Sequence, residues 1–183
     1  ELPINSPTLL TATLNGEDAL EADNSAQLIL NPMQQTKVLL VTEQQRSPVE
    51  FALESMPQVE LTVSENLAND FSGYGLAIIN EVQLRKLPSV PTFVMGPRSD
   101  SDLWALGEPL AKPQATGTRA DHPLVEGTDL RDVIIDRSAS LRPAEQFTEL
   151  AATASGAPLY WLFDRPSGEV AVLAIAPRTS DIA

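Results

Sequence analysis

The order of apolar runs between residues 37 and 95 limits the fold of this chain more than any other feature. Residues 37–42 and 76–80 are short runs dominated by apolar side chains, which is typical of strands buried on both faces. Residues 59–63 alternate between apolar and polar side chains, and residues 92–95 form a further short apolar run. This segment therefore predicts four strands.

Two helices are predicted between these strands. Ser47, Pro48 and Glu50 provide an N-cap, a proline in the first turn and an acid at the third helical position, so a helix should begin there and end before Pro57. A shorter helix is predicted over residues 82–87. Strands that alternate with helices are typical of a parallel sheet covered by helices.

Both flanking regions are predicted to be rich in strands. Residues 8–14 end at a tight-turn signal, Asn15-Gly16, and together with residues 26–30 they predict an antiparallel pair. Beyond a loop-rich stretch we expect strands at residues 132–135, 147–151, 159–163 and 169–176, with a hairpin turn between the last two. The chain is thus expected to contain a β segment over residues 1–33 and an α/β domain over residues 37–183.

Composition excludes several classes of site. The chain has 183 residues, of which 43 % are apolar, so it can bury a core. Its net charge of −13 disfavours binding to nucleic acid or anionic lipid. Without cysteine and with one histidine, His122, it has no disulfide, thiolate site, cysteine nucleophile or histidine-rich metal site. No cofactor is expected.

The ends of the chain and its apolar runs also carry an expectation. The apolar runs are too short to span a bilayer. No signal peptide precedes the first strand, and both termini look like cut points. We therefore expect a soluble segment of a longer protein.

One oxygen-rich motif is a candidate metal site. Asp136, Ser138 and Ser140 form a D-x-S-x-S pattern directly after apolar residues 133–135. A carboxylate and two hydroxyls at a strand end can bind Mg²⁺ as hard oxygen ligands. The pattern resembles the metal-ion-dependent adhesion site of von Willebrand factor A domains, but in those domains it follows the first strand. We favour the alternative, a polar strand end that faces water.

Other polar side chains are weaker candidates. Asp100, Asp102 and Asp121 are carboxylates that a hydrolase could use if two of them faced each other across a cleft. His122 is expected to cap a turn rather than to act as a general base. A cluster of four acidic residues could bind Ca²⁺ weakly, but we expect these side chains simply to be exposed: Glu17, Asp18, Glu21 and Asp23.

Short motifs spread over most of the chain resemble one family. The chain resembles bacterial BatA-like (aerotolerance-type) membrane proteins, which often pair a membrane-anchor region with a von Willebrand A or amidotransferase-like domain. The motifs that carry this resemblance lie at residues 22–26, 37–42, 49–61, 122–130 and 170–181.

The resemblance implies a fold, a location and a role. The fold would be flavodoxin-like, as in class I glutamine amidotransferases, with a parallel sheet flanked by helices, a short β segment before it that closes a β-sandwich, and a β-rich C-terminal portion. The parent protein would be anchored in a membrane, with this domain in the periplasm. Amidotransferase activity requires a cysteine nucleophile, which this chain lacks. We therefore expect a non-catalytic interaction or scaffolding domain with protein partners; a metal-dependent adhesion module and a carbohydrate-binding or hydrolytic domain are the alternatives.

Overall fold

The computed structural model describes residues 7–14, 24–30, 34–67, 70–84, 86–119, 121–144 and 146–179. The chain divides into two compact units, Glu1–Gln35 and Thr36–Ala183. Among the helices of the described residues, none is long and apolar enough to cross a membrane.

The first unit contains a two-stranded ribbon. Strands β1 (Thr8–Thr13) and β2 (Ser25–Leu30) pair antiparallel, with Thr8 opposite Leu30, which confirms the predicted pair. Apolar side chains along the ribbon remain between 45 % and 71 % exposed within the chain: Leu9, Leu10, Leu14, Leu28 and Ile29. The acids at positions 17, 18, 21 and 23 lie outside the described residues.

The second unit is built mainly from strands. Its elements follow in chain order: β3 (Thr36–Thr42), α1 (Pro48–Glu54), β4 (Val59–Ser64), β5 (Leu76–Asn80), β6 (Thr92–Met95), β7 (Trp104–Leu106), β8 (Leu110–Ala111), β9 (Ala115–Thr118), β10 (Arg137–Ser138), β11 (Leu141–Pro143), β12 (Thr148–Thr153), β13 (Pro158–Phe163) and β14 (Val170–Leu173). Three 3₁₀ turns lie at Pro123–Val125, Leu130–Asp132 and Pro177–Thr179.

Eight of these strands form one mixed sheet in the order β4-β3-β5-β6-β14-β13-β12-β9. The five strands from β4 to β14 are mutually parallel, and the remaining pairs are antiparallel. β14 therefore joins the two halves, since it pairs parallel with β6 and antiparallel with β13.

The predicted flavodoxin-like fold with flanking helices is wrong. Within the described residues, the crossovers from β4 to β5 and from β5 to β6 contain no α-helix, although the strands they join are parallel. These crossovers are rich in residues that favour turns, including Ser72-Gly73 and Pro88-Ser89. Of the two predicted helices, α1 is present, and Ser47 caps it by accepting a hydrogen bond from the Glu50 amide at 3.1 Å.

Two further element predictions are wrong for local reasons. Residues 82–84 are not helical, because the Leu84 amide donates to Ser99 Oγ and the Ser99 hydroxyl donates to the Leu84 carbonyl, both at 2.8 Å. Residues 132–135 do not form a strand, because Asp129 accepts from the Arg131 amide and begins a 3₁₀ turn. In both places a side chain forms a hydrogen bond with a backbone group that would otherwise be paired within a helix or a sheet.

The core lies along the centre of the sheet. Leu39, Leu40 and Ile79 are at most 1 % exposed and form one cluster with Trp104 and Trp161. Part of the covering layer comes from the segment between β6 and β12, whose short strands pair as β7 with β11 and β8 with β10. This irregular segment buries apolar side chains against the sheet, which is the task that helices were predicted to perform.

Candidate functional site

The topology identifies one edge of the sheet as the place to look for a site. β3 has β4 on one side and β5 on the other, so the strand order reverses beside β3. In open α/β sheets, ligands bind outside the carboxyl ends of the parallel strands, near such a reversal. The carboxyl ends of β3, β5, β6 and β14 all lie on this edge, because these strands are parallel.

Glu81 follows β5 directly and is the most unusual residue at this edge. Its side chain is 4 % exposed and its φ angle is 54°, in the left-handed region that non-glycine residues rarely adopt. Arg98 Nη2 lies 2.8 Å and Arg178 Nε 2.6 Å from Glu81 Oε2. Gln44 Nε2 donates to the other carboxylate oxygen at 2.9 Å. The buried carboxylate is thus paired on both oxygens.

The two arginines reach Glu81 from the segments that follow two neighbouring strands, Arg98 three residues after β6 and Arg178 five residues after β14. β6 is followed by Gly96-Pro97-Arg98 and β14 by Ala174-Ile175-Ala176-Pro177-Arg178, so each arginine comes after a small residue and a buried proline. Proline fixes φ and removes one backbone donor, so Pro97 limits the extension of β6, whereas Pro177 lies four residues beyond the end of β14.

Gly96 allows these strand ends to approach closely. Its φ angle is 55°, and a Cβ atom there would lie 2.7 Å from Ala176 Cβ and 3.0 Å from Glu81 Cγ. A side chain at this position would therefore push apart the ends of three strands, β5, β6 and β14.

The opposite wall of the site is held by side-chain hydrogen bonds. Trp104 Nε1 donates to the Ser99 carbonyl at 3.0 Å, and Asp100 accepts from the Leu106 amide at 2.7 Å. Ser138 is fixed by an antiparallel bridge to Ile175 and by the neighbouring bond from the Ala139 amide to the Ala174 carbonyl at 2.8 Å.

Between these walls lies a cleft of about 430 Å³. It contains three arginines, Arg98, Arg137 and Arg178, and Glu81 is its acidic lining residue. The remaining lining is small, apolar or neutral: Gln83, Gly96, Pro97, Leu106, Gly107, Pro109, Ser138, Ala139, Ala174 and Ala176. The lining of this cleft has more basic than acidic side chains, whereas the whole chain has a net charge of −13. We call it the arginine cleft.

Ser138 contributes an unpaired hydroxyl to the arginine cleft. The residue is 2 % exposed, and its Oγ has no hydrogen-bond partner among the residues that the structure describes. Buried polar groups are almost always paired, and an exception calls for an explanation such as a missing water or ligand.

The structure does not bring the candidate metal ligands into one cavity. Ser138 lines the arginine cleft, whereas Asp136 is exposed and lines a separate groove with Lys112 and Asp132. Ser140 is half-buried, and its carbonyl accepts from the Gly107 amide at 2.7 Å. The described residues contain no group of three or more His, Cys, Asp or Glu side chains that could hold a metal ion.

The other predicted candidates lie outside the lining of the arginine cleft. Asp100 caps the turn before Leu106, Asp102 is exposed, and Asp121 pairs with Arg119 at 3.1 Å on the surface. His122 Nδ1 accepts from the Leu124 amide at 3.3 Å, which confirms the predicted turn cap.

Glu81, Arg98 and Arg178 were not among the residues predicted to form a site. A signal for all three was present, since each follows a run that was correctly predicted as a strand. The carboxyl ends of neighbouring parallel strands lie at one edge, so polar residues that follow such runs are expected to meet.

No protein-family model matches the chain, and no curated protein matches it. Among solved structures, this chain is similar to part of the exo-β-1,4-mannosidase Op5Man5 from Opitutaceae bacterium strain TAV5, with a TM-score of 0.49 and 13 % identity. The match covers 78 % of this chain and 31 % of the mannosidase chain.

Proposed function

We propose that this chain is a non-catalytic interaction domain, and that the arginine cleft is the surface through which the second unit binds. In this proposal it belongs to a membrane-anchored bacterial protein of the BatA-like type and lies on the periplasmic side. The observation that carries the proposal is the state of Glu81.

Glu81 occupies a position where an enzyme of related topology would place a reactive group. In hydrolases with a nucleophile elbow, the nucleophile lies on a strained turn directly after a central parallel strand. Glu81 lies on such a turn, but its carboxylate is paired with Arg98, Arg178 and Gln44. Because both carboxylate oxygens are already engaged in charge-assisted hydrogen bonds, these contacts restrain the group and oppose its action as a nucleophile or a base.

The rest of the cleft lining supports the same proposal. General acid–base chemistry near neutral pH needs a group such as histidine, or a carboxyl or amine with a displaced pKa. Arginine stays protonated and cannot serve as a base at neutral pH. Among the described lining residues, arginines and Glu81 are the ionisable ones. This lining is suited to binding rather than to proton transfer.

The first unit supports an interaction role independently. The apolar side chains of β1 and β2 remain exposed within the chain, and two strands alone have little stability in water. Exposed apolar surface of this kind marks places where proteins contact other proteins.

Binding and turnover can be separated in one experiment. The full chain would be mixed with succinate, citrate, inorganic phosphate, an acidic tripeptide and mannose oligosaccharides, and ¹H NMR spectra of each mixture would be followed over a day. We expect line broadening of at least one compound with its spectrum unchanged at the end. Consumption of any compound by the wild type, with no consumption by a heat-denatured sample, would overturn the non-catalytic proposal.

The proposed location has its own test. Spheroplasts that contain the full-length parent protein would be treated with an external protease, with a cytoplasmic protein as the control for lysis. We expect this domain to be digested while the control stays intact. Protection of both proteins, followed by digestion of both after lysis, would contradict a periplasmic location.

A further inference from the structure

We propose that the arginine cleft binds its ligand through an oxyanion, a carboxylate or a phosphate, held by Arg137 and Arg178 together with the Ser138 hydroxyl. The inference deepens the proposed function and rests on it, because it names the ligand class of the same cleft. It is carried by the charge of the cleft and by the unpaired hydroxyl.

The first argument is the excess of positive charge. Three arginines line the cleft, and Glu81 is the carboxylate among its described lining residues, while Arg98 also contacts Glu43 outside that lining. Like charges that face one cleft repel one another, and a bound anion relieves this repulsion. A cleft lined by one sign of charge also concentrates ligands of the opposite sign.

The second argument is the choice of arginine and its exposure. The guanidinium group has five donors in a planar fork that matches carboxylate and phosphate oxygens. Arg178 contacts Glu81 through Nε, and its side chain remains 53 % exposed. The side chain of Arg98 is 36 % exposed, although it contacts both Glu81 and, at 3.9 Å, Glu43. Both arginines are thus fixed by Glu81 while still reaching solvent.

The third argument is independent of charge. Ser138 Oγ is buried in the cleft wall without a partner, and its backbone is fixed against the end of β14. Because Oγ is itself buried from solvent, the ligand would reach it through a small movement of the cleft wall, after which the hydroxyl could donate to an oxyanion. The neighbouring arginines would supply the remaining hydrogen bonds that a carboxylate or phosphate accepts.

The size and lining of the cleft limit the ligand further. A volume of about 430 Å³ falls within the range of small-molecule sites, roughly 300–1,000 Å³. Pro97, Leu106, Pro109 and Ala139 provide apolar contacts beside the charged groups. The ligand class is therefore a small acid with a short apolar part, either free or as the acidic end of a peptide.

The test is a calorimetric titration of the full chain at constant ionic strength. Succinate, inorganic phosphate and an acidic tripeptide would be compared with succinamide, which has the shape of succinate without its charge. We expect binding of at least one anion and none of succinamide. Tighter binding of succinate than of phosphate would identify a carboxylate ligand, and the reverse order would identify a phosphate.

Variants assign the binding to the cleft. Arg137→Gln is expected to weaken anion binding at least tenfold. Ser138→Ala is expected to weaken it at least threefold. Arg119→Gln removes the same charge from an exposed pair with Asp121 and is expected to change it less than twofold. Glu81→Gln is expected to tighten binding several-fold, because it removes the carboxylate that competes for two arginines.

The outcomes separate the inference from the proposed function. Absence of anion binding, or equal weakening by Arg137→Gln and Arg119→Gln, would overturn the inference while leaving a non-catalytic domain possible. Anion binding followed by chemical conversion of the bound anion would support the ligand class and overturn the proposed function.

Discussion

The bodies of the parallel strands and their carboxyl ends are both buried, but they are built in opposite ways. In β3 and β5 the bodies contain Leu39, Leu40 and Ile79, which are at most 1 % exposed and bury no polar side-chain atom. The same two strands end in the buried polar residues Thr42 and Asn80, and Asn80 is followed by Glu81 in a left-handed conformation. Polar groups thus replace apolar ones within a few residues.

The difference separates what stabilises the fold from what shapes the site. Apolar bodies gain stability from burial and can be replaced by other apolar residues of similar volume. A buried carboxylate, a left-handed residue and an unpaired hydroxyl each cost stability unless neighbours compensate. Such costs concentrate at functional sites, and here all three features belong to two residues of the arginine cleft, Glu81 and Ser138. Substitutions in the two regions should therefore have different signatures.

The largest effect is expected from removing both partners of Glu81. The double substitution Arg98→Ala/Arg178→Ala leaves a carboxylate that is 4 % exposed with Gln44 as its remaining described partner. Breaking a buried ion pair from one side costs about 3–5 kcal/mol, so we expect the free energy of unfolding to fall by about 4 kcal/mol. Urea denaturation followed by circular dichroism measures this change.

A third substitution tests the cause of that loss. Adding Glu81→Gln to the double variant removes the uncompensated charge, so most of the lost stability should return. Arg119→Ala, which breaks the exposed pair with Asp121, is expected to change the free energy of unfolding by less than about 0.5 kcal/mol. If the triple variant were as unstable as the double variant, the charge of Glu81 would not be the cause.

In the strand bodies, Ile79→Ala is expected to lower the free energy of unfolding by about 3 kcal/mol, because it leaves a cavity in the core. Its signature should differ from that of the cleft variants, since the affinity for anions should stay within twofold of wild type. Calorimetry and urea denaturation on the same sample measure both quantities. The control Ile29→Ala, at a residue that is 64 % exposed on β2, should leave the unfolding of the second unit unchanged. A tenfold loss of anion affinity in Ile79→Ala would contradict the view that the strand bodies stabilise the fold and only the strand ends shape the site.

Where three strand ends meet, Gly96→Ala is expected to cost about 2 kcal/mol. Overpacking and a left-handed conformation of a non-glycine residue each cost about 1–2 kcal/mol, and relaxation of Glu81 offsets part of the sum. The added Cβ would lie 3.1 Å from Ala176 Cα, so the backbone itself must move. Thermal unfolding measures the loss. Gly73→Ala meets open space and an ordinary φ angle, and it should leave the melting temperature equal or slightly higher.

The same division between body and edge explains what the sequence could predict. Strands β3 to β6 and helix α1 were predictable because apolar runs and the capping residues Ser47 and Pro48 act locally. The covering layer was not predictable, since it depends on distant side-chain bonds such as those between Ser99 and Leu84. The candidate site was missed for the same reason: Arg98 and Arg178 are far apart in sequence and meet at Glu81 only once β14 pairs with β6.

The smallest expected effect compares one substitution at two buried serines. Ser47 and Ser138 are each 2 % exposed, but Ser47 Oγ accepts from the Glu50 amide while Ser138 Oγ has no partner. Ser47→Ala should therefore lower the free energy of unfolding by about 1 kcal/mol. Ser138→Ala removes a hydroxyl that is desolvated without compensation, so it should raise stability by up to about 1 kcal/mol while weakening anion binding. Urea denaturation without ligand measures both changes. A loss of stability in Ser138→Ala would mean that this hydroxyl stabilises the fold. The proposal that the arginine cleft binds an anion would then lose its one argument that does not depend on charge.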